Sequence, residues 1–242
     1  MKIALINPNT TASMTATCVS AAEAVGAGGT EIIGLTSQDG PASIEGPYDE
    51  AFALPGLIRA ALLAEQEGAE AVVVACFDDP GLESLRAALS VPVVGIVEAS
   101  MNAAASIADQ MAVVTTTDRS LARIRELAHR YGVAERCTVY ASKVPVLALE
   151  TDGFSPVRAT AEQAVNEGAE AIILGCAGMA DWVAALRQNL GVPVVDGVAA
   201  AVKHAEGLVA QGLRTAKAGA YQTPARKPFT GQFSADAWPE VE

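Results

Sequence analysis

Glu67-Gly68-Ala69-Glu70-Ala71-Val72-Val73-Val74-Ala75-Cys76 returns a hundred residues later as Glu167-Gly168-Ala169-Glu170-Ala171-Ile172-Ile173-Leu174-Gly175-Cys176. Gly68 suits the C′ position of a helix ending there. The aliphatic run after it reads as a buried strand, and each cysteine stands at that strand's carboxyl end. The match continues downstream, where Val91-Pro92-Val93-Val94 recurs as Val192-Pro193-Val194-Val195, one residue further on. A period near 100 is too long for a solenoid. It suits two similar lobes facing each other across a pseudo-twofold axis.

The rest of the chain fits that frame. Strands are expected at 2–6, 31–35, 71–75 and 93–95, and again at 111–115, 138–141, 171–174 and 194–195. Helices alternate with them, so the units are βαβ and the sheets parallel, with helices on both faces. Asp79 and Pro80 look like the N-cap and first residue of a helix to 89. Further helices are expected over 97–109, 118–131, 156–167, 181–190 and 197–211, with a loop at 142–152. The tail from Thr215 holds Pro224, Pro228 and Pro239 and is expected to wrap the surface or an oligomer interface. The expected fold class is α/β: two lobes, each a parallel sheet flanked by helices, with the site in the cleft between them.

Composition narrows the function. The 242 residues suffice for a substantial core, with 51% hydrophobic and 18% charged residues. A net charge of −12 argues against nucleic acid and anionic membranes as partners. Apolar runs stay far below a membrane span. The N-terminus breaks early at Asn7-Pro8-Asn9, so no signal peptide is read and a cytoplasmic location is expected. The four cysteines (Cys18, Cys76, Cys137, Cys176) form no CxxC and lie far from His129 and His204, which argues against zinc.

In parallel α/β sheets, ligands bind outside the carboxyl ends of the strands. Facing lobes therefore bring Cys76 and Cys176 into one cleft from opposite sides. One thiolate then removes a proton beside a carbonyl, and the other thiol returns one to the opposite face. Helix N-termini after each cysteine are expected to favour the thiolate and to hold a developing enolate oxygen. Cys18, in an Ala-rich helix, and Cys137, at a strand start, read as packing residues.

At these residues the sequence resembles the aspartate/glutamate racemase superfamily, and within it the hydantoin racemase branch, which also includes allantoin racemases. The marks are Asn7-Pro8-Asn9-Thr10-Thr11, Gly40-Pro41-Ala42-Ser43-Ile44-Glu45-Gly46, Ala75-Cys76-Phe77-Asp78-Asp79-Pro80-Gly81 and Gly175-Cys176-Ala177-Gly178-Met179-Ala180. The resemblance implies Cys76 and Cys176 as acid/base residues, no metal, no organic cofactor and a homo-oligomer. It also implies that the chain crosses between lobes near Val97 and returns near Gly197. The expected lobes are then 1–97 with 197–242, and 98–196. Asn7 resembles a first-loop residue that contacts substrate, and its other reading is turn capping. Ser43 and Ile44 resemble a substrate-lining segment, Phe77 a pocket wall, and Thr116 and Thr117 substrate-binding hydroxyls. Ala177 and Gly178 join them beside Cys176. Asp78 and Asp79 read as capping residues rather than bases.

The cleft loops hold few cations, Arg119 and Lys143 being the only ones in or beside them. A dicarboxylate wants Arg or Lys for each carboxylate. A neutral cyclic ureide does not, and the resemblance then implies a 5-monosubstituted hydantoin as the substrate, with allantoin as the neighbouring choice. One-cysteine relatives, like maleate isomerase or arylmalonate decarboxylase, have no need of two matched thiols. A two-lobed binding protein is the non-enzymatic alternative.

Overall fold

Most strands are short runs of aliphatic and β-branched residues with little polar alternation, which suits sheets covered on both faces, whereas the edge strands at 31–36 and 137–141 are only partly buried. The structure, a computed structural model, describes residues 1–231. Strands β1 (Lys2–Asn7), β2 (Glu31–Thr36), β3 (Ala71–Val74) and β4 (Val93–Gly95) form one parallel sheet in the order β2-β1-β3-β4. Strands β5 (Met111–Thr115), β6 (Cys137–Ala141), β7 (Ala171–Gly175) and β8 (Val194–Val195) form a second parallel sheet, β6-β5-β7-β8. The strand order is the same in both.

The helices are α1 (Ala12–Val25), α2 (Pro47–Gln66), α3 (Leu82–Ala88), α4 (Ile96–Ala105), α5 (Ser120–Arg130), α6 (Leu149–Asp152), α7 (Phe154–Asn166), α8 (Val183–Leu190) and α9 (Gly197–Ala210). One core cluster runs through both lobes, joining Leu5 and Val73 to Val113 and Ile173 by way of Met101 in α4 and Val202 in α9. Each sheet has a second cluster on its outer face, around Leu57 and Leu85 in one lobe and Val157 and Leu186 in the other. Helix α4 carries the chain from the first sheet to the second, and α9 leaves the second sheet to pack on α4, α1, β3 and β4. These two passages touch: a Cβ on Gly197 would lie 2.9 Å from the carbonyl oxygen of Ile96.

The sequence repeat is also a repeat of hydrogen bonds. Gly68 and Gly168 have φ of 87° and 107°, left-handed conformations natural to glycine. The Glu70 carboxylate accepts from the Lys2 N–H at 2.8 Å, where β1 starts. Glu170 accepts from Asp109 and Gln110 N–H at 2.7 and 3.1 Å, just before β5. Arg86 donates from Nε and Nη2 to the Val93 carbonyl, and Arg187 does the same to Val194.

Several boundaries differ from the sequence expectations. Helix α3 starts at Leu82, with Gly81 as its N-cap, rather than at Asp79. Helix α4 stops at Ala105, short of 109. The expected loop at 142–152 contains a 3₁₀ turn, Val146–Ala148, and α6. A second 3₁₀ segment, Ala177–Trp182, leads into α8. The tail runs along α3: Thr215 N–H donates to Ser90, and Lys217 Nζ to the Arg86 and Ala87 carbonyls. Pro239 lies outside the described residues. Among the described residues, no helix is long and apolar enough to cross a membrane.

Candidate active site

Central strands β3 and β7 end in equivalent turns. The Asp79 N–H donates to the Cys76 carbonyl at 3.1 Å, and the Met179 N–H donates to the Cys176 carbonyl at the same distance. Two residues past each cysteine, a backbone N–H (Asp78 or Gly178) is hydrogen-bonded to the sulfur. Gly175 before Cys176 has a packing reason: a Cβ there would stand 2.8 Å from Thr115 Cα. Thr115 Oγ1 donates to the Gly175 carbonyl at 3.0 Å, tying the ends of β5 and β7 together.

Both thiols are partly exposed and open on one cleft between the lobes, of about 490 Å³ counting its open mouth. From the first lobe Asn7, Ile44 and Phe77 line it beside Cys76; from the second, Thr116, Ala177 and Gly178 line it beside Cys176. Ser43 and Thr117 are not on its wall. Ser43 instead donates to Glu45 at 3.1 Å within its own loop. The Thr117 hydroxyl is buried and makes no hydrogen bond.

Asn7 has a second occupation. Its Nδ2 donates to Asn9 Oδ1, the Thr11 carbonyl and Thr15 Oγ1 at 2.9 to 3.1 Å, while its Oδ1 accepts from the Asn9 N–H. The amide thus organises the turn from β1 into α1.

Sequence reasoning missed Asn9, Met14, Ala75, Thr115, Val146 and Gly175 on the wall, and three further occupants. Cys18 lies there, buried in α1 and part of the core. Ser120 comes from the start of α5. The third is Asp78, 5% exposed. The acidic pair 78–79 signalled it but reads equally as a helix cap. Asp79 is a cap, though of a different helix: its carboxylate accepts from the Val97 and Glu98 N–H groups at 3.0 and 2.9 Å, at the start of α4. Tyr131 OH donates to it as well, at 2.8 Å.

Burial decides the charge of the thiols. It pushes Cys176 up to about 11, against the lowering effect of the Gly178 N–H. It pushes Cys76 well above the ordinary thiol value, the nearby Asp78 charge adding to it and the Asp78 N–H opposing. The expected net preference for thiolate is therefore overturned. Only one oriented N–H is hydrogen-bonded to each sulfur, and desolvation outweighs it. Burial raises Cys18 too, followed by the charge of Cys176. Among the described residues, no Lys, Arg or His lines the cleft. Arg119 is exposed. The cation beside the site is Arg123, whose Nε donates to the Asp78 carbonyl at 3.3 Å and whose charge faces Glu50 and Glu126. Among the described residues, no three of His, Cys, Asp and Glu converge as metal ligands.

The model of the family Asp/Glu/Hydantoin racemase matches residues 3–205. A hydantoin racemase of Rhizobium meliloti is 43% identical over 236 residues, covering 96% of this chain and 98% of that protein. A hydantoin racemase of Pseudomonas sp. (strain NS671) is 42% identical over 236 residues, covering 96% and 95%. Among solved structures, an allantoin racemase from Klebsiella pneumoniae superposes with a TM-score of 0.94 at 43% identity, over 97% of this chain and 98% of that one.

Proposed function

This chain belongs to the Asp/Glu/hydantoin racemase family, a family of isomerases, and on that premise we propose that it inverts C5 of 5-monosubstituted hydantoins without a cofactor. Cys76 and Cys176 are the two proton-transferring groups of this reading. The observation that carries it is the pair of matched thiols, at the carboxyl ends of equivalent strands, opening on one cleft that no basic side chain lines among the described residues.

The chemistry follows from that placement. A thiolate on one wall takes the C5 proton, and the electron pair moves into the neighbouring C4 carbonyl as an enolate. The thiol on the other wall then gives its proton to the opposite face of C5, leaving the inverted substrate and a thiolate there. The Asp78 and Gly178 N–H groups stabilise the sulfur that carries the charge. The hydantoin ring delocalises the carbanion, which suits bases as modest as thiols. In this reading 1–97 with 197–242 and 98–196 are the two lobes.

The test is to incubate one enantiomer of a 5-substituted hydantoin in D2O and to follow optical rotation and deuterium at C5. Both should change together. No exchange and no loss of rotation across a panel of C5 substituents overturns the reading. Cys76→Ser and Cys176→Ser should each reduce net racemisation by about a hundredfold or more. Each can still exchange C5 of the enantiomer whose proton faces the remaining thiol. Normal racemisation by either single variant sinks the two-base scheme.

Allantoin racemisation is the second reading, favoured by the similarity to the Klebsiella pneumoniae structure. Allantoin contains a hydantoin ring, so the same panel decides between them. One-cysteine chemistry like that of maleate isomerase or arylmalonate decarboxylase leaves the second matched thiol without a task, and a pure binding protein leaves both without one.

A further inference from the structure

We propose that Asp78 determines specificity in this cleft: its carboxylate accepts a ring N–H of the neutral ureide and turns away molecules that carry a carboxylate of their own. This deepens the hydantoin reading and rests on it.

The main chain of Asp78 is held on both sides. Its N–H is hydrogen-bonded to the Cys76 sulfur, and its carbonyl accepts from Arg123 Nε. The side chain is different. It is 5% exposed, lines the cleft, and among the described residues makes no hydrogen bond. A buried carboxylate without donors is costly, and the arrangement asks for a ligand that brings one. A cyclic ureide brings an N–H on the ring atom next to C5, the carbon that must lie between the thiols. Asp78 is two residues from Cys76, so one group can present the nitrogen while the other reaches the carbon.

The surroundings set the charge. Glu50 on α2 repels the carboxylate and Arg123 on α5 attracts it, with Asp79 beside it and the thiols of Cys76 and Cys176 facing it. Burial dominates this balance and lifts the carboxyl to about 7. It is therefore a full acceptor only on the alkaline side of neutrality, where KM should be lower than at pH 6. An anionic substrate meets this charge with no cation on the wall, among the described residues, to offset it. The matching position in the other lobe is Gly178, so the acceptor is on one side only.

The experiment compares a 5-substituted hydantoin with its N1-methyl and N3-methyl derivatives, and measures inhibition by the ring-opened N-carbamoyl amino acid. Wild type should show a KM about tenfold higher when the contacted nitrogen is methylated. Asp78→Ala should raise KM for the parent by a similar factor, with a smaller change in kcat, and should erase the difference between parent and N-methyl substrate. Asp78→Asn, which keeps the volume, should let the N-carbamoyl acid inhibit about tenfold more tightly. Retained N-methyl discrimination in Asp78→Ala overturns the proposal, as does unchanged inhibition in Asp78→Asn. A wild-type protein that turns over no hydantoin overturns the proposed function too, which separates the two failures.

Discussion

At Cys176 a single N–H opposes desolvation, and desolvation wins. The resting thiol is therefore protonated near neutrality, and its thiolate fraction rises about tenfold per pH unit below the raised value. Alkylation by iodoacetamide should accelerate about a hundredfold between pH 7 and 9. Cys176 should be labelled first and Cys76 second, because the Asp78 charge stands beside Cys76. Peptide mapping by mass spectrometry reads the order, and prior labelling of the buried Cys18 contradicts it. The positions of the two cysteines were legible because a repeat and a strand end are both written in local sequence. Asp78 and Cys18 were not. Whether an acid beside a cysteine caps a helix or faces a cavity depends on where distant segments pass, and nothing in residues 76–81 records that.

Among the elements, α4 shows how a local rule can be right in kind and wrong in address. Its N-cap residue is Gly95, which has no side chain to offer. Asp79 supplies the acceptor from the preceding βα turn, in a left-handed conformation with φ of 44°. The fit excludes a Cβ at Gly95, which would stand 2.3 Å from the Asp79 carboxyl carbon. Asp79→Ala should lower stability by about 1–2 kcal/mol, seen as a lower Tm. Tyr131→Phe should lower it by about 1 kcal/mol, since the helix keeps its cap. An unchanged Tm in Asp79→Ala would contradict the assignment. The strands were readable from aliphatic runs bounded by glycine and proline. The start of α4 was expected at 97 and lies at Ile96, but the group that caps it was not readable, since it comes from 18 residues away.

On the scale of the whole molecule, the chain enters and leaves the second sheet at one place, where Gly197 lies against Ile96. Gly197→Ala forces a methyl group onto backbone and should cost about 1–3 kcal/mol. Any shift of α9 against α4 is also felt in the cleft, so turnover should fall with stability; a variant with wild-type Tm would show that the contact is loose. The twofold plan itself was legible, since 67–76 returns as 167–176 and 91–94 as 192–195; the structure adds matching fastenings, Arg86 to Val93 and Arg187 to Val194. The unequal walls were not. Asp78 on one wall corresponds to Gly178 on the other, so the two hands of a substrate meet different surroundings. Yet mirror-image molecules have equal free energy in an achiral solvent, and the equilibrium constant between them is one. For the proposed reaction, kcat/KM must then be identical in both directions, whatever lines the walls. The asymmetry is confined to how that shared ratio divides: each enantiomer has its own saturation point, and its turnover number scales in step.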